Sequence, residues 1–569
     1  MATINRTDHE TFFNRELEAM EAEVRAYMEA EALKLLKNAR LFVGIYKGKD
    51  EDRGNIVVKF NKGKAPYLKV PYSVFTLPVG LTLDKWGDIP YKTLRQQALT
   101  GSDALPIYMM SADKQGFIEV GMTHIDLIFA EQLKPGSLLV VAEREPPFEY
   151  ILNLKNLVRA TPPHTPAGDI LDIPIHLTNW NPVPLSGNNI MSQVLEMFHQ
   201  QEVTVVQGPP GTGKTHLMAR LCDYFLEQQQ SVLVTALTNK ALSELAEKNP
   251  LQPWLTAKKI KKRPVLLEEK QKMPQLMQAE YLMPVPGELL LATFYQMSKV
   301  AVAHPEYDFD VVIVEEASQG FLATLAATRL LGKKMIIVGD QQQLQPVVLQ
   351  ARPESVHPDI LFAVNGLATF ANNSVFQGTR LIETYRLTPR ATLQTGSFYE
   401  NMLVSRSTTP IPITLDSGYA SLFDPEGGCT VYHLDITDEG KIPKTAILLI
   451  KDILVDLHKA HPDFSIAVLA PFRVTIKALQ EAIYPSFKQA DWLSIETVDR
   501  IQGMTCDLTI YLIPFPSHHF AFQTNRFNVA TSRATKGTLI VTDKQVDGSG
   551  AGVAKFWKIV KCSHLLGQI

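Results

Sequence analysis

Cysteine is scarce. The 569-residue chain has four, at 222, 429, 506 and 562, and no two stand at the spacing of a zinc site. That excludes zinc-rich and iron–sulfur modules, and a disulfide framework is not expected at this size. Long apolar runs are missing too: no stretch approaches the roughly 20 residues a membrane helix needs. The first residues are polar and acidic rather than signal-like. A soluble, cytoplasmic protein with no membrane partner is the expectation. Charge of one sign is also lacking, since 56 lysines and arginines face 59 aspartates and glutamates for a net −3. No overall basic field marks a nucleic-acid binder, although a local basic groove is compatible with this balance. The densest cluster, Lys258-Lys259-Ile260-Lys261-Lys262-Arg263, fits a solvated loop or a phosphate-contacting arm. Low-complexity tracts are absent and 45% of residues are hydrophobic, so the chain is globular. Its length exceeds one core and predicts three or four domains.

What is present is chemically specific. The buried-strand run Val203-Thr204-Val205-Val206 leads into GPPGTGKT at 208–215. This is the GxxxxGK[ST] phosphate loop: Gly208, Pro209, Pro210, Gly211, Thr212 and Gly213 turn backbone N–H groups on a polyphosphate. Lys214 reaches the β/γ-phosphates, and the Thr215 hydroxyl ligates magnesium. The helix that starts there points its positive end at the anion. Four segments follow in order: VVIVEEASQ at 311–319, GDQQQLQP at 339–346, IETVDRIQG at 495–503 and NRFNVATSRA at 525–534.

With Tyr385-Arg386-Leu387-Thr388-Pro389 between them, these motifs resemble the superfamily 1 helicases, most closely the 1B branch typified by the nonsense-mediated-decay helicase. The resemblance covers about Gly187 to Thr542 and implies an ATP hydrolase using ATP and Mg2+. Gln193, in Asn188–Gln193, would read the adenine edge with one donor and one acceptor, and Tyr385 would stack on that base. Glu315 would hold the metal and Glu316 would act as general base. The family usually has aspartate at the first position. Glu315 carries one more methylene, while magnesium demands tight geometry at ~2.0–2.1 Å. Gln343 would sense the γ-phosphate. Arg386 and Arg533 would be the two arginine fingers, a task suited to a permanently charged, forked guanidinium. Gly503 belongs to the VDxxQG motif; two residues on, where the family commonly has glutamate near the ribose, stands Thr505. Thr238, Asn239, Thr293, Thr497, Val498 and Asp499 match the family's phosphate-contacting positions, where small hydroxyl and amide groups suit sequence-blind backbone contacts, and Pro471-Phe472, after Ile466–Ala470, would add a stacking surface. Threonine and asparagine at strand ends are also ordinary helix caps.

Along the chain the pattern predicts an α/β protein: two RecA-like P-loop motor domains with parallel sheets, plus an N-terminal helix and a small β-barrel. The expected spans are a helix in 1–39 opening with a capping box at Thr7–Glu10, a barrel-like domain over 40–160 and an extended Pro-rich linker at 161–185. Motor domains at 186–372 and 373–569 follow. Barrel strands are expected at Leu41–Tyr46, Ile56–Phe60, Gly116–Val120 and Ser137–Ala142, where the apolar period is two. The leading functional expectation is ATP-driven translocation on single-stranded DNA or RNA with duplex unwinding, 5′→3′ by the 1B resemblance. The competing one is an ATP-gated clamp or remodelling subunit with little unwinding of its own. A separate specificity or nuclease partner fits either.

Overall fold

A computed structural model describes the chain except for residues 1–3, 62–63, 68–69, 78–86, 99, 112–115, 145–146, 174–180, 351–359, 372–377, 409–412, 416–417, 488–490, 516–517, 551 and 564–569. The long first helix is Arg6–Met28, and its cap lies earlier than the sequence suggests. Asn5, not Thr7, is the N-cap, and its side chain and that of Asp8 close a capping box. Glu10 is instead committed to Arg159. Phe12, Phe13 and Met20 go into a core shared with Phe321, with ring centroids of Phe12 and Phe13 5.5 and 5.9 Å from Phe321. Each buried aromatic of this kind is worth about 1.5–3 kcal/mol, so the helix is riveted to the body that follows.

Six antiparallel strands close a barrel in the order β1-β2-β5-β4-β3-β6. They are β1 (Leu41–Asp50), β2 (Asn55–Asn61), β3 (Tyr72–Thr76), β4 (Gly101–Ser111), β5 (Phe117–Thr123) and β6 (Leu138–Glu143). Two of the six, β3 and β4, carry too little alternation to be expected. Closure removes the free sheet edges that would otherwise invite aggregation.

The segment foreseen as an extended linker is partly helical. Thr165 caps a helix at Pro166–Leu171, with Pro166 at a position that needs no N–H. Ile170 and Leu171 are buried in the same core as Phe12. The prolines therefore start a helix rather than prevent one; Pro174 lies outside the described residues.

A nine-stranded parallel sheet follows, ordered β11-β10-β12-β9-β13-β14-β8-β15-β7. Its members are β7 (Val183–Leu185), β8 (Val203–Gln207), β9 (Val232–Ala236), β10 (Ile260–Arg263), β11 (Met277–Gln278), β12 (Leu289–Thr293), β13 (Phe309–Val314), β14 (Gly332–Gly339) and β15 (Thr379–Leu381). Val205, Val312 and Ile337 fill one face while Val206, Ile313 and Ile336 fill the other. Burial on both faces is why these strands read as unbroken apolar runs. The expected junction at 372–373 lies outside the described residues; the sheet's last two strands come from outside the expected span, β15 after 373 and the edge strand β7 before 186.

After a short parallel pair, β16 (Glu383–Thr384) and β17 (Val404–Ser405), a six-stranded sheet runs β20-β19-β21-β22-β18-β23. These are β18 (Cys429–Leu434), β19 (Ile466–Ala470), β20 (Leu493–Thr497), β21 (Cys506–Ile513), β22 (Ala534–Asp543) and β23 (Lys561–Cys562). Both its faces are likewise covered. Among the described residues no helix is long and apolar enough to cross a membrane.

Candidate nucleotide site

The carboxyl ends of β8, β13 and β14 lie side by side, the position where open α/β sheets gather ligands. From β8 the chain turns into the loop 208–213 and then the helix Lys214–Glu227. Gly208 N–H donates to the Gly339 carbonyl at 2.9 Å, which ties the loop to β14. Gly211 has φ +74°, and a Cβ there would meet Arg386 Cβ at 2.4 Å. Glycine is needed both for that backbone turn and for the approach of the arginine. Tyr385 N–H donates to the Gly211 carbonyl at 2.9 Å, and the Thr384 hydroxyl donates to the Pro210 carbonyl at 2.9 Å. The segment 384–386 thus sits directly on the phosphate loop.

Lys214 rests its ammonium on the carbonyls of Gly208 and Pro209. Among the described residues it has no ion pair. Burial, opposed by Asp340 but reinforced by Arg386 and Arg533, pulls its pKa down to about 8. Burial and Arg533 bring Arg386 to about 9, and burial lowers Arg533 too. Arg386, packed on Gly211, and Arg533, beside Gln343, bring two cations of the second half to the loop that carries Lys214. Arg386 donates to the Ser532 carbonyl at 3.1 Å and to the Thr505 hydroxyl at 2.6 Å. Arg533, only 2% exposed, donates to the Val529 carbonyl and lies 3.4 Å from Gln343 Oε1.

Opposite them stand two carboxylates at the end of β13. Glu315 is 5% exposed; its Oε1 accepts from the Thr215 hydroxyl at 3.1 Å, and its Oε2 is buried without a hydrogen-bond partner among the described residues. Burial, then repulsion from Glu316, pushes its pKa up to about 8. A hydroxyl beside an unpaired carboxylate oxygen is the donor set of a hard divalent cation, so Thr215 and Glu315 fit magnesium. Glu316 adopts φ +51°, a left-handed backbone that costs a non-glycine residue strain and often marks functional positions. Burial raises its pKa as well. Gly503 arrives from the other half: a Cβ there would lie 3.5 Å from Glu316 Oε1.

The base-reading residues are looser. Gln193 is exposed on the helix Ile190–Gln200, and Tyr385 is 58% exposed. Glu383 accepts from Gly187 N–H at 3.3 Å and from the Tyr385 hydroxyl at 3.4 Å, which ties Tyr385 to the turn that precedes the helix carrying Gln193.

The strand-contacting candidates divide. Thr238 and Thr293 are helix N-caps whose hydroxyl oxygens accept from Ala241 N–H and Gln296 N–H. Asn239 Oδ1 accepts from Lys262 at 2.8 Å. Asp499 is paired with Arg526 at 2.8 Å. Thr497 is only 9% exposed, Val498 is fully buried and Pro471 is buried, so Val498 and Pro471 present no side chain to a strand. Phe472, next to Pro471, is half-buried and stacks on Phe520 with centroids 5.4 Å apart. The lysine cluster runs into β10, flanked by β11 and β12, and its lysines are paired: Lys259 and Lys261 meet Glu288, and Lys262 meets Glu269.

Sequence reasoning missed four residues that complete the crevice. Thr505 anchors Arg386. Tyr399, Asn525 and Asn528 hydrogen-bond Asp340 and the carbonyls of Gln341, Gln342 and Gln343. Asn525 and Asn528 lay within a recognised motif, but nothing in local pattern marked Tyr399.

Comparison with known proteins gives two matches to the AAA domain family, over residues 192–349 and 372–545. Replicase polyprotein 1ab of Bat coronavirus HKU9 is 24% identical over 367 residues, 61% of this chain and 4% of the relative. Helicase sen1 of Schizosaccharomyces pombe is 25% identical over 269 residues, 45% of this chain and 16% of the relative. The chain therefore spans a small fraction of these curated relatives. The crystal structure of Arterivirus nonstructural protein 10 (helicase) aligns at 14% identity and TM-score 0.36, covering 86% of this chain and 83% of that one. The same helicase in complex with DNA aligns at 15% identity and TM-score 0.34, covering 79% and 73%.

Proposed function

Given that the chain belongs to the superfamily 1 helicases, we propose that it hydrolyses ATP between its two sheets and uses the cycle to move along, and separate, single-stranded nucleic acid from its duplex. The observation that carries this reading is the triad Lys214, Arg386 and Arg533: buried or half-buried cations, without ion pairs among the described residues, converging on a glycine-rich loop. Like charges held together in low dielectric are unfavourable alone and strongly favourable around a polyanion.

The phosphate loop N–H groups and Lys214 bind the triphosphate tail. A magnesium ion held by Thr215 and Glu315 would add charge neutralisation at the phosphate oxygens. Glu316 stands opposite the guanidinium groups and orients and deprotonates the attacking water. Arg386 and Arg533 come from the far half, so they reach the reacting phosphate only while the crevice is closed. Closure and opening then alternate the grip of the two halves on the strand.

That grip rests on Thr238, Asn239, Thr293, Thr497 and Asp499 together with backbone N–H groups. A capping threonine accepts with its oxygen and keeps its hydroxyl proton for a phosphate, so capping and strand contact are compatible. Movement in the 5′→3′ sense follows from the 1B resemblance. We take Gln193 and Tyr385 as the adenine contacts.

Lys214→Ala tests the reading. ATP hydrolysis stimulated by single-stranded DNA or RNA should fall at least about a thousandfold while the protein stays folded. Strand-stimulated hydrolysis surviving in that variant sinks it. A forked substrate separates a motor from a clamp, because the clamp hydrolyses ATP without releasing the strand.

A further inference from the structure

One buried network joins the two halves of the protein and is not used by the chemistry above. Asp340, at the end of β14, is 2% exposed. It accepts from Gln207 at 3.1 Å, from Gln342 N–H at 3.2 Å, from Gln343 Nε2 at 2.8 Å and from the Tyr399 hydroxyl at 2.6 Å. Four donors fill the carboxylate's capacity. The Tyr399 oxygen in turn accepts from Asn528 Nδ2 at 2.7 Å, and Asn528 Nδ2 also donates to the Gln342 carbonyl at 2.8 Å. Tyr399 follows the helix Pro389–Gly396, which is fastened to the second sheet by Gln394 bonding both backbone groups of Cys429. Asn528 lies on the helix Thr524–Thr531, which ends beside Arg533. One phenol thus touches the end of the first sheet and the arginine-bearing helix of the second.

The consequence falls on Gln343. Its amide has two ends, and Asp340 takes the Nε2 end, which leaves Oε1 facing Arg533 at 3.4 Å. The orientation of Gln343 is therefore set by Asp340, whose own position is set by donors from both halves. A fully buried ring would pack as well if it were phenylalanine; only the hydroxyl makes the bridge. We propose that Tyr399 is a positioning residue that couples closure of the crevice to the orientation of Gln343 toward Arg533. The inference rests on the ATPase reading above.

The test is a double-mutant cycle on hydrolysis stimulated by single-stranded nucleic acid, with thermal melting as a check on folding. Tyr399→Phe should lower kcat about tenfold, the effect of losing one hydrogen bond to a charged group, with KM for ATP within about twofold. In a Gln343→Ala background the same change should cost less than about twofold, because the group it orients is gone. Asn528→Ala, which breaks the bridge from its other side, should show the same non-additivity and serves if Tyr399→Phe does not fold. A Tyr399→Phe enzyme as fast as the parent, or an equal loss in both backgrounds, overturns the proposal. Failure of the ATPase reading looks different: the unmodified protein itself shows no strand-stimulated hydrolysis, and the coupling falls with it.

Discussion

Two lysines, one sealed in the protein and one half-buried at the phosphate loop, show how an answered cation differs from an unanswered one. Lys262, on β10, is 0% exposed and spends all three ammonium protons inside the protein. They go to Glu269 Oε2 at 2.9 Å, Asn239 Oδ1 at 2.8 Å and the Pro264 carbonyl at 2.6 Å. Glu269 is satisfied as well, by Ser243 and Leu266 N–H. Lys214 hydrogen-bonds only carbonyl oxygens of its own loop, and the carboxylates of Asp340 and Glu316 act on it against two guanidinium neighbours. The first site is neutral and complete. In the second, none of the three cations has an ion pair among the described residues, and a bound polyphosphate would supply the missing partner.

Arg533→Ala should separate the two sites most sharply. If Arg533 completes the charge around the transferred phosphate, hydrolysis falls by about a thousandfold or more. Thermal melting without nucleotide should stay level or rise, since one of three crowded cations is gone. Steady-state kinetics beside a melting curve checks both; a large loss of stability would mean that Arg533 is structural in the way Lys262 is.

The reverse result is expected at the other lysine. Lys262→Met leaves Glu269 buried and unpaired, a loss of about 3–5 kcal/mol in chemical denaturation. Changing Glu269 to glutamine alongside should recover much of it. No loss in the single variant would show that the cluster is already wet.

The smallest effect is on pH dependence. Lys214 in the folded protein has its pKa lowered to about 8, while the unfolded chain keeps its proton to about 10.4. Between these values the unfolded state binds more protons, so this lysine's contribution to stability increases as pH rises. Without nucleotide, Lys214→Met should melt higher than the parent near pH 7, with the gap shrinking progressively between about pH 8 and about pH 10.4. A gap that widens with pH would show that the ammonium is stabilised where it lies.

The elements that were legible share one property: their chemistry is carried by neighbours in the chain. The phosphate loop, the acidic pair after β13 and the two sheets are each written in a few consecutive residues, because a βαβ unit needs an apolar run, a turn and a helix in that order. The barrel was legible where its period of two was clean. It was not in β3 and β4, which are held by closure rather than by pattern. The Asn5 cap was missed because Thr7–Glu10 offers the same box two residues later, and only packing of Phe12 and Phe13 fixes the register. The 161–185 prolines suggested an extended linker because proline is read as a breaker, yet Pro166 sits at the one helical position that suits it.

For this protein the sequence alone determined the phosphate loop, the acidic pair and the strands that carry them, and the order in which the chain makes them. The tertiary structure decided which charges are answered and which are left waiting. Lys262 finds Glu269 seven residues away across a turn, Arg386 finds Thr505 and Asn528 finds Tyr399. A charged group's role depends on the counter-charge that folding brings to it, and partners more than a hundred residues apart leave no local mark.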